Sequence, residues 1–224
     1  MSTILRNLFA CMAILGVASA APAAVLFSET FSYPDGHLAS APPDGGVSGG
    51  LWTVLQQTYR TTHSADVSNG KIALLQIQHY PSIPNPSGED VYRGFSALAA
   101  GQTIYAGFDV TASGNDDYAV FADFVWPDGV YSAPATSLVI GPLSGSDFTF
   151  RIGYGLTGGV RWPSGLAFDT TYRVVMSYEF DTGSSKLWVN PASESSTNVS
   201  KTLAAYQSKP VSGFELRQDT LCCG

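Results

Sequence analysis

The stretch Thr171-Tyr172-Arg173-Val174-Val175-Met176-Ser177-Tyr178-Glu179-Phe180-Asp181-Thr182-Gly183-Ser184-Ser185-Lys186-Leu187-Trp188-Val189-Asn190-Pro191 decides how this chain is read. Tyr172, Val174, Met176, Tyr178 and Phe180 share one parity, and Arg173, Ser177 and Glu179 take the other; only Val175 spoils the alternation. Period two over about nine residues predicts a strand with one face in a core and one in water. Asp181 to Ser185 is turn chemistry. Lys186 to Asn190 resumes as a second strand and Pro191 cuts it, so the stretch predicts a β-hairpin with a loop longer than two residues.

Working outward, the same grammar repeats. Val25–Tyr33 is expected as a first strand, and Pro34-Asp35-Gly36 as a turn. Ala39–Gly50 and Pro81–Gly88 are rich in Pro and Gly and read as loops. Further strands are expected at Lys71–His79, Val91–Leu98, Thr103–Thr111, Ser137–Gly141, Asp147–Tyr154 and Val211–Gln218. Tyr118–Trp126 is apolar on nearly every position, which predicts a central strand. Tyr154–Gly165 reads as a Gly-rich loop, and Ala192–Thr202 as a polar one. Roughly ten to twelve short strands with no helical periodicity predict one all-β, two-sheet antiparallel sandwich. No internal repeat at a fixed period points to a solenoid or propeller.

Composition agrees. Charged residues make up only 13% of the 224, while Gly (23) and Pro (13) supply turns. That length is enough to bury a sizeable core in a single domain.

The first 23 residues read as an export signal: Arg6, an apolar run from Leu8 to Ala18, then small residues. Cleavage is favoured after Ala23, with Ala20 next. The apolar run is short for a membrane span, so no span is expected in the mature chain, residues 24–224. Removing residues 1–23 takes away Arg6 and no other charge, leaving 10 basic against 18 acidic residues and a net charge of −8. Such a balance lacks the basic patch that phosphate neutralisation needs, which excludes nucleic acid as a partner. Secretion or the cell surface is the expected address. Cys222 and Cys223 are adjacent, so they cannot staple distant strands; a vicinal disulfide or a link between two chains is open to them. His37, His63 and His79 lack ligand spacing, which argues against zinc.

Two places carry a resemblance: Glu29-Thr30-Phe31-Ser32-Tyr33-Pro34-Asp35-Gly36-His37-Leu38 followed by Gly49-Gly50-Leu51-Trp52, and Tyr172-Arg173-Val174-Val175 leading to Leu187-Trp188-Val189-Asn190-Pro191. In that order they resemble the concanavalin A-like lectin/glucanase superfamily, and more narrowly exported bacterial laminin G-like domains. The resemblance spans most of residues 25–218. It implies a jelly-roll sandwich with one convex and one concave sheet, the concave one often the ligand side. Similar domains add a strand after the one at Phe214–Gln218 and often carry a PEP-CTERM sorting signal. Here Gly224 follows six residues after Gln218. The expectation is a chain cut short of its last strand, leaving the first strand with an unpaired edge.

The superfamily's laminarinase-type hydrolases need two carboxylates flanking the scissile bond, as in E-x-D-x-x-E on one strand face. Only Glu179-Phe180-Asp181 begins that pattern, and no third carboxylate follows. A lyase would pair a His or Tyr base with Arg or Gln, and Gln76, Gln78, His79, Tyr80 and Arg93 are the only cluster of that kind. Gly-x-Ser-x-Gly is absent. No catalytic residue is assigned and no enzyme is expected. No cofactor is expected either; Asp116, Asp117 and Asp123 are a set suited to calcium, but Asn115-Asp116-Asp117 reads first as a plain turn. Aromatic residues at strand ends, Trp126, Tyr131, Tyr154 and Trp162, are the candidate sugar contacts, whereas Trp52 and Trp188 read as packing residues. The expected function is an exported, non-catalytic carbohydrate-binding or adhesion domain whose partner is a polysaccharide or cell-surface glycan. A structural matrix protein without a small ligand is the alternative, and a polysaccharide-cleaving enzyme ranks third.

Overall fold

A computed structural model of the chain describes residues 25–39, 46–54, 64–74, 89–114, 118–127, 132–143, 147–154 and 158–218. The segment expected as an export signal, Gln76 to Tyr80, Asp116, Asp117, Tyr131, Cys222 and Cys223 lie outside the described residues.

The strands in chain order are β1 (Gly36–His37), β2 (Thr53–Val54), β3 (Asp66–Ser68), β4 (Lys71–Ala73), β5 (Val91–Gly94), β6 (Thr103–Thr111), β7 (Ala119–Pro127) and β8 (Ser132–Pro142). They continue as β9 (Asp147–Gly153), β10 (Val160–Arg161), β11 (Leu166–Ala167), β12 (Thr171–Glu179), β13 (Ser184–Val189), β14 (Val199–Thr202) and β15 (Gly213–Leu216). One 3₁₀ turn, Ala204–Tyr206, is the sole helical element among the described residues, and no helix there is long and apolar enough to cross a membrane.

The expected all-β, two-sheet antiparallel jelly-roll sandwich is the architecture found. The large sheet runs β10-β9-β8-β7-β15-β5-β2, with β11 also on β9, and the small sheet runs β14-β13-β12-β6. Every pairing is antiparallel. The chain crosses to the small sheet after β5 and returns after β6, crosses again after β11, and returns after β14 to end its described course with β15 inserted between β7 and β5. A small third sheet, β1-β3-β4, adds Val67 to the core beside Leu38 and Ala65.

Alternation sets the core. Val174, Met176, Tyr178 and Leu187 of the small sheet are fully buried, as the hairpin's parity predicts. Phe121, Phe124, Phe150, Ile152, Phe214 and Leu216 of the large sheet meet them. Phe108 of β6 bridges the layers, with ring centroids 6.1 Å from Phe121 and 5.9 Å from Phe214. A bulge between Val120 and Ala122 leaves Phe121 as the extra residue of β7 and lets it reach both Phe108 and Phe150.

Two expectations are corrected. Val25–Tyr33 forms no strand: Phe31 has φ +50°, and the Glu29 carboxylate accepts from the Phe31 amide at 2.8 Å, closing a local turn. The same carboxylate takes Tyr33 Oη, Trp52 Nε1 and Arg93 Nη1 at 2.8, 3.0 and 2.9 Å, so the segment is pinned by side chains rather than by a ladder. The polar stretch expected as a loop after Ala192 ends in β14, which pairs Val199 with Leu187 and Lys201 with Ser185. An edge strand buries little and shows no apolar alternation to read.

Candidate functional site

Val175, the residue that broke the hairpin's alternation, points to the site. Val174 faces the core, so Val175 lies on the outer face of the small sheet, where its register partners are Trp188 and Gly107. Trp188 likewise sits opposite in parity to the buried Leu187. These outward apolar side chains are roofed by the chain after β13. Asn190, at φ +50°, turns that chain: its amide donates to the Arg173 carbonyl at 2.7 Å and its Oδ1 accepts from the Arg173 amide at 2.8 Å. Ser196 Oγ then accepts from the amides of Ala192 and Ser193 at 3.0 and 3.1 Å, which fixes the loop.

The loop is fastened to the sheet at two points. Trp188 Nε1 donates to the Glu194 carbonyl at 3.1 Å, and Tyr105 Oη of β6 donates to Glu194 Oε1 at 2.6 Å. Between them lies a shallow pocket of about 370 Å³ lined by Tyr105, Val175, Trp188, Pro191, Ser193 and Glu194. Trp188, 2% exposed, is its back wall; Tyr105, 44% exposed, is its accessible ring, 6.2 Å from Trp188 between centroids. Burial, the hydrogen bond to Glu194 and the negative charges of Glu194 and Glu179 push the Tyr105 phenol up to about 12, so it stays neutral. An aromatic face beside a carboxylate and a hydroxyl can hold a ring that is apolar on one side and hydroxylated at its edge.

Strand ends carry the residues expected from sequence. Trp126 and Tyr154 are brought together by a residue that sequence reading missed. Tyr206 stacks on Tyr154 at 4.6 Å and packs on Trp126 at 5.8 Å, while Lys209 Nζ lies 5.0 Å above the Trp126 ring. The loop bearing Tyr206 and Lys209 hangs on Tyr178, whose Oη donates to the Tyr206 carbonyl at 2.6 Å and accepts from the Lys209 amide at 3.1 Å. Trp162 stands beside Phe150, half-buried, with its amide on the Phe150 carbonyl at 2.8 Å. Tyr131 lies outside the described residues.

The outer face of the large sheet bears a buried ionic cluster. Asp123 and Glu215 are register partners on β7 and β15, at 0% and 4% exposure. Arg217 reaches Asp123 at 3.3 Å, Asp90 at 3.4 Å and Glu215 at 3.9 Å. Burial raises Asp123 against the pull of Arg217. It raises Glu215 well above the usual carboxylate range, with Arg217 opposing and Asp123 and Asp90 adding to the rise. Further along this face, Arg151 and Arg161, opposed in register, both donate to Tyr118 Oη, at 2.8 and 2.9 Å. Among the described residues no three His, Cys, Asp or Glu side chains converge to hold a metal. Glu179 and Asp181 serve the hairpin and its surroundings: Glu179 accepts from Thr182 Oγ1 at 2.7 Å and Asp181 from the Gly101 amide at 2.9 Å. Arg93 belongs to the Glu29 pin.

No family model matches this chain, and no curated protein does. Among solved structures it is similar to a heptameric SAP-like pentraxin from Limulus polyphemus, at 10% identity and TM-score 0.40, over 61% of either chain. It is also similar to a sialidase, at 11% identity and TM-score 0.49, over 85% of this chain and 15% of the sialidase. An endo-β-1,4-glucuronan lyase from Trichoderma reesei is similar at 15% identity and TM-score 0.40, over 83% and 82%. Likeness at this level reports on neither ligand nor chemistry.

Proposed function

We propose that this is an exported, non-catalytic carbohydrate-binding domain that seats a sugar ring in the pocket of Tyr105, Trp188, Pro191 and Glu194. The supporting observation is the pairing of an accessible aromatic ring with a hydrogen-bonding carboxylate on a sheet face, the loop above it fastened through Glu194 to both Trp188 and Tyr105. A preformed site of this kind loses little entropy on binding. Trp126, Tyr154 and Trp162 are further candidate contacts for a long polysaccharide. Retention of the domain by immobilised polysaccharides and a glycan array is the test. Tyr105→Ala is expected to weaken retention strongly and Trp162→Ala more mildly; a blank array sinks the reading.

A further inference from the structure

Resting on the reading of the Tyr105 pocket as a sugar site, we infer that the ring it selects carries a free amino group, as in an unacetylated amino sugar. The geometry is that of an ammonium site on an apolar floor. Tyr105 Oη occupies Glu194 Oε1, and Glu194 Oε2 has no hydrogen-bond partner among the described residues. Glu194 is exposed and lines the pocket together with Val175 and the 44% exposed Tyr105, so its second carboxylate oxygen is left to a ligand or to water. A positive group seated there meets both the carboxylate and the negative face of the ring. A uronate would meet Glu194 as a like charge. A neutral or acetylated sugar could stack and accept hydrogen bonds, but would leave the carboxylate's charge uncompensated.

The other charges on this sheet face leave that preference in place. Arg173 is engaged by Asp109 at 3.1 Å. Glu179, on the same face of β12, adds negative charge near Tyr105. Lys186 of β13, opposite Ser177, is the cation nearest in register. Glu194 is the charged group that lines the pocket itself.

Isothermal titration of the whole domain with glucosamine, N-acetylglucosamine, glucose and glucuronate oligosaccharides of equal length tests this. The glucosamine series is expected to bind about tenfold more tightly than the acetylated one, with an advantage that shrinks as salt is added. Glu194→Gln is expected to bring the two series to parity while neutral oligosaccharides still bind. Tyr105→Phe, which frees the carboxylate and keeps the ring, is expected to preserve the amino preference. Equal binding of amino and acetylated series by the wild type, or an unchanged preference in Glu194→Gln, overturns the inference and leaves the sugar site standing. Failure of all four series to bind, or binding indifferent to Tyr105→Ala, overturns the sugar site itself.

Discussion

Tyr105 and Glu194 lie 89 positions apart and meet at 2.6 Å, the phenol donating to the carboxylate. This contact ties the loop after β13 to a strand it does not pair with, and so sets the pocket's width. Tyr105→Phe removes the bond and keeps the ring. The expected loss is about 0.5–1.5 kcal/mol, read as a lower urea midpoint at unchanged slope. No shift would mean the loop holds itself.

Trp188 has the larger role in stability. It is 2% exposed on the outer face, and its indole N–H bonds the Glu194 carbonyl. Trp188→Ala is expected to cost about 3–5 kcal/mol. Trp188→Phe should recover part of this, lacking only ring volume and the N–H. Urea denaturation of both variants decides it.

Arg217 is the only cation ion-paired to Asp90, Asp123 and Glu215 among the described residues. Arg217→Met would leave buried carboxyls without it, at an expected cost of about 3–5 kcal/mol at neutral pH. Because protonation removes the uncompensated charge, the deficit should narrow at acid pH. A deficit that is the same at both pH values would show that packing, not charge, is what Arg217 supplies.

Burial holds Glu215 and Asp123 above their usual range, so the folded state keeps protons the unfolded chain has released. Stability from these groups is therefore complete below the unfolded carboxylate range, about pH 4, and falls as pH rises toward the folded values. Glu29 acts oppositely. Burial raises it, but its bonds from Trp52, Phe31 and Tyr33 and the charge of Arg93 win and lower it. Its contribution is present above the unfolded range and is lost as pH falls through the lowered value. Stability should thus peak in mildly acid solution. Glu215→Gln should flatten the decline on the alkaline side; a slope equal to the wild type's in urea titrations would refute the assignment.

Gly213 carries the ring of Tyr92 on its surface. A Cβ there would lie 1.8 Å from Tyr92 Cε2, and Tyr92 Oη donates to the Ser212 carbonyl at 3.1 Å. Gly213→Ala must displace the ring, at an expected cost of about 1–3 kcal/mol. With Tyr92→Ala already in place the same change should cost much less, and a double-mutant cycle measures the difference.

The fold was largely legible because its signal is local. Alternation in Tyr172–Phe180 placed Val174, Met176 and Tyr178 in the core, and the bounds of β6 are those the pattern predicts. Where side-chain bonds override the pattern, as around Glu29, the reading failed. The pocket left one trace, Val175 out of place in the alternation.

What the sequence determined by itself is which residues turn inward, because period two is a property of neighbouring positions. What only the tertiary structure decided is which outward residues meet: Tyr105 with Glu194, Asp123 with Glu215, Tyr154 with Tyr206. Those meetings depend on strand order, register and the path of a loop across a sheet. They are set by packing between segments far apart in the chain, and no local pattern records them.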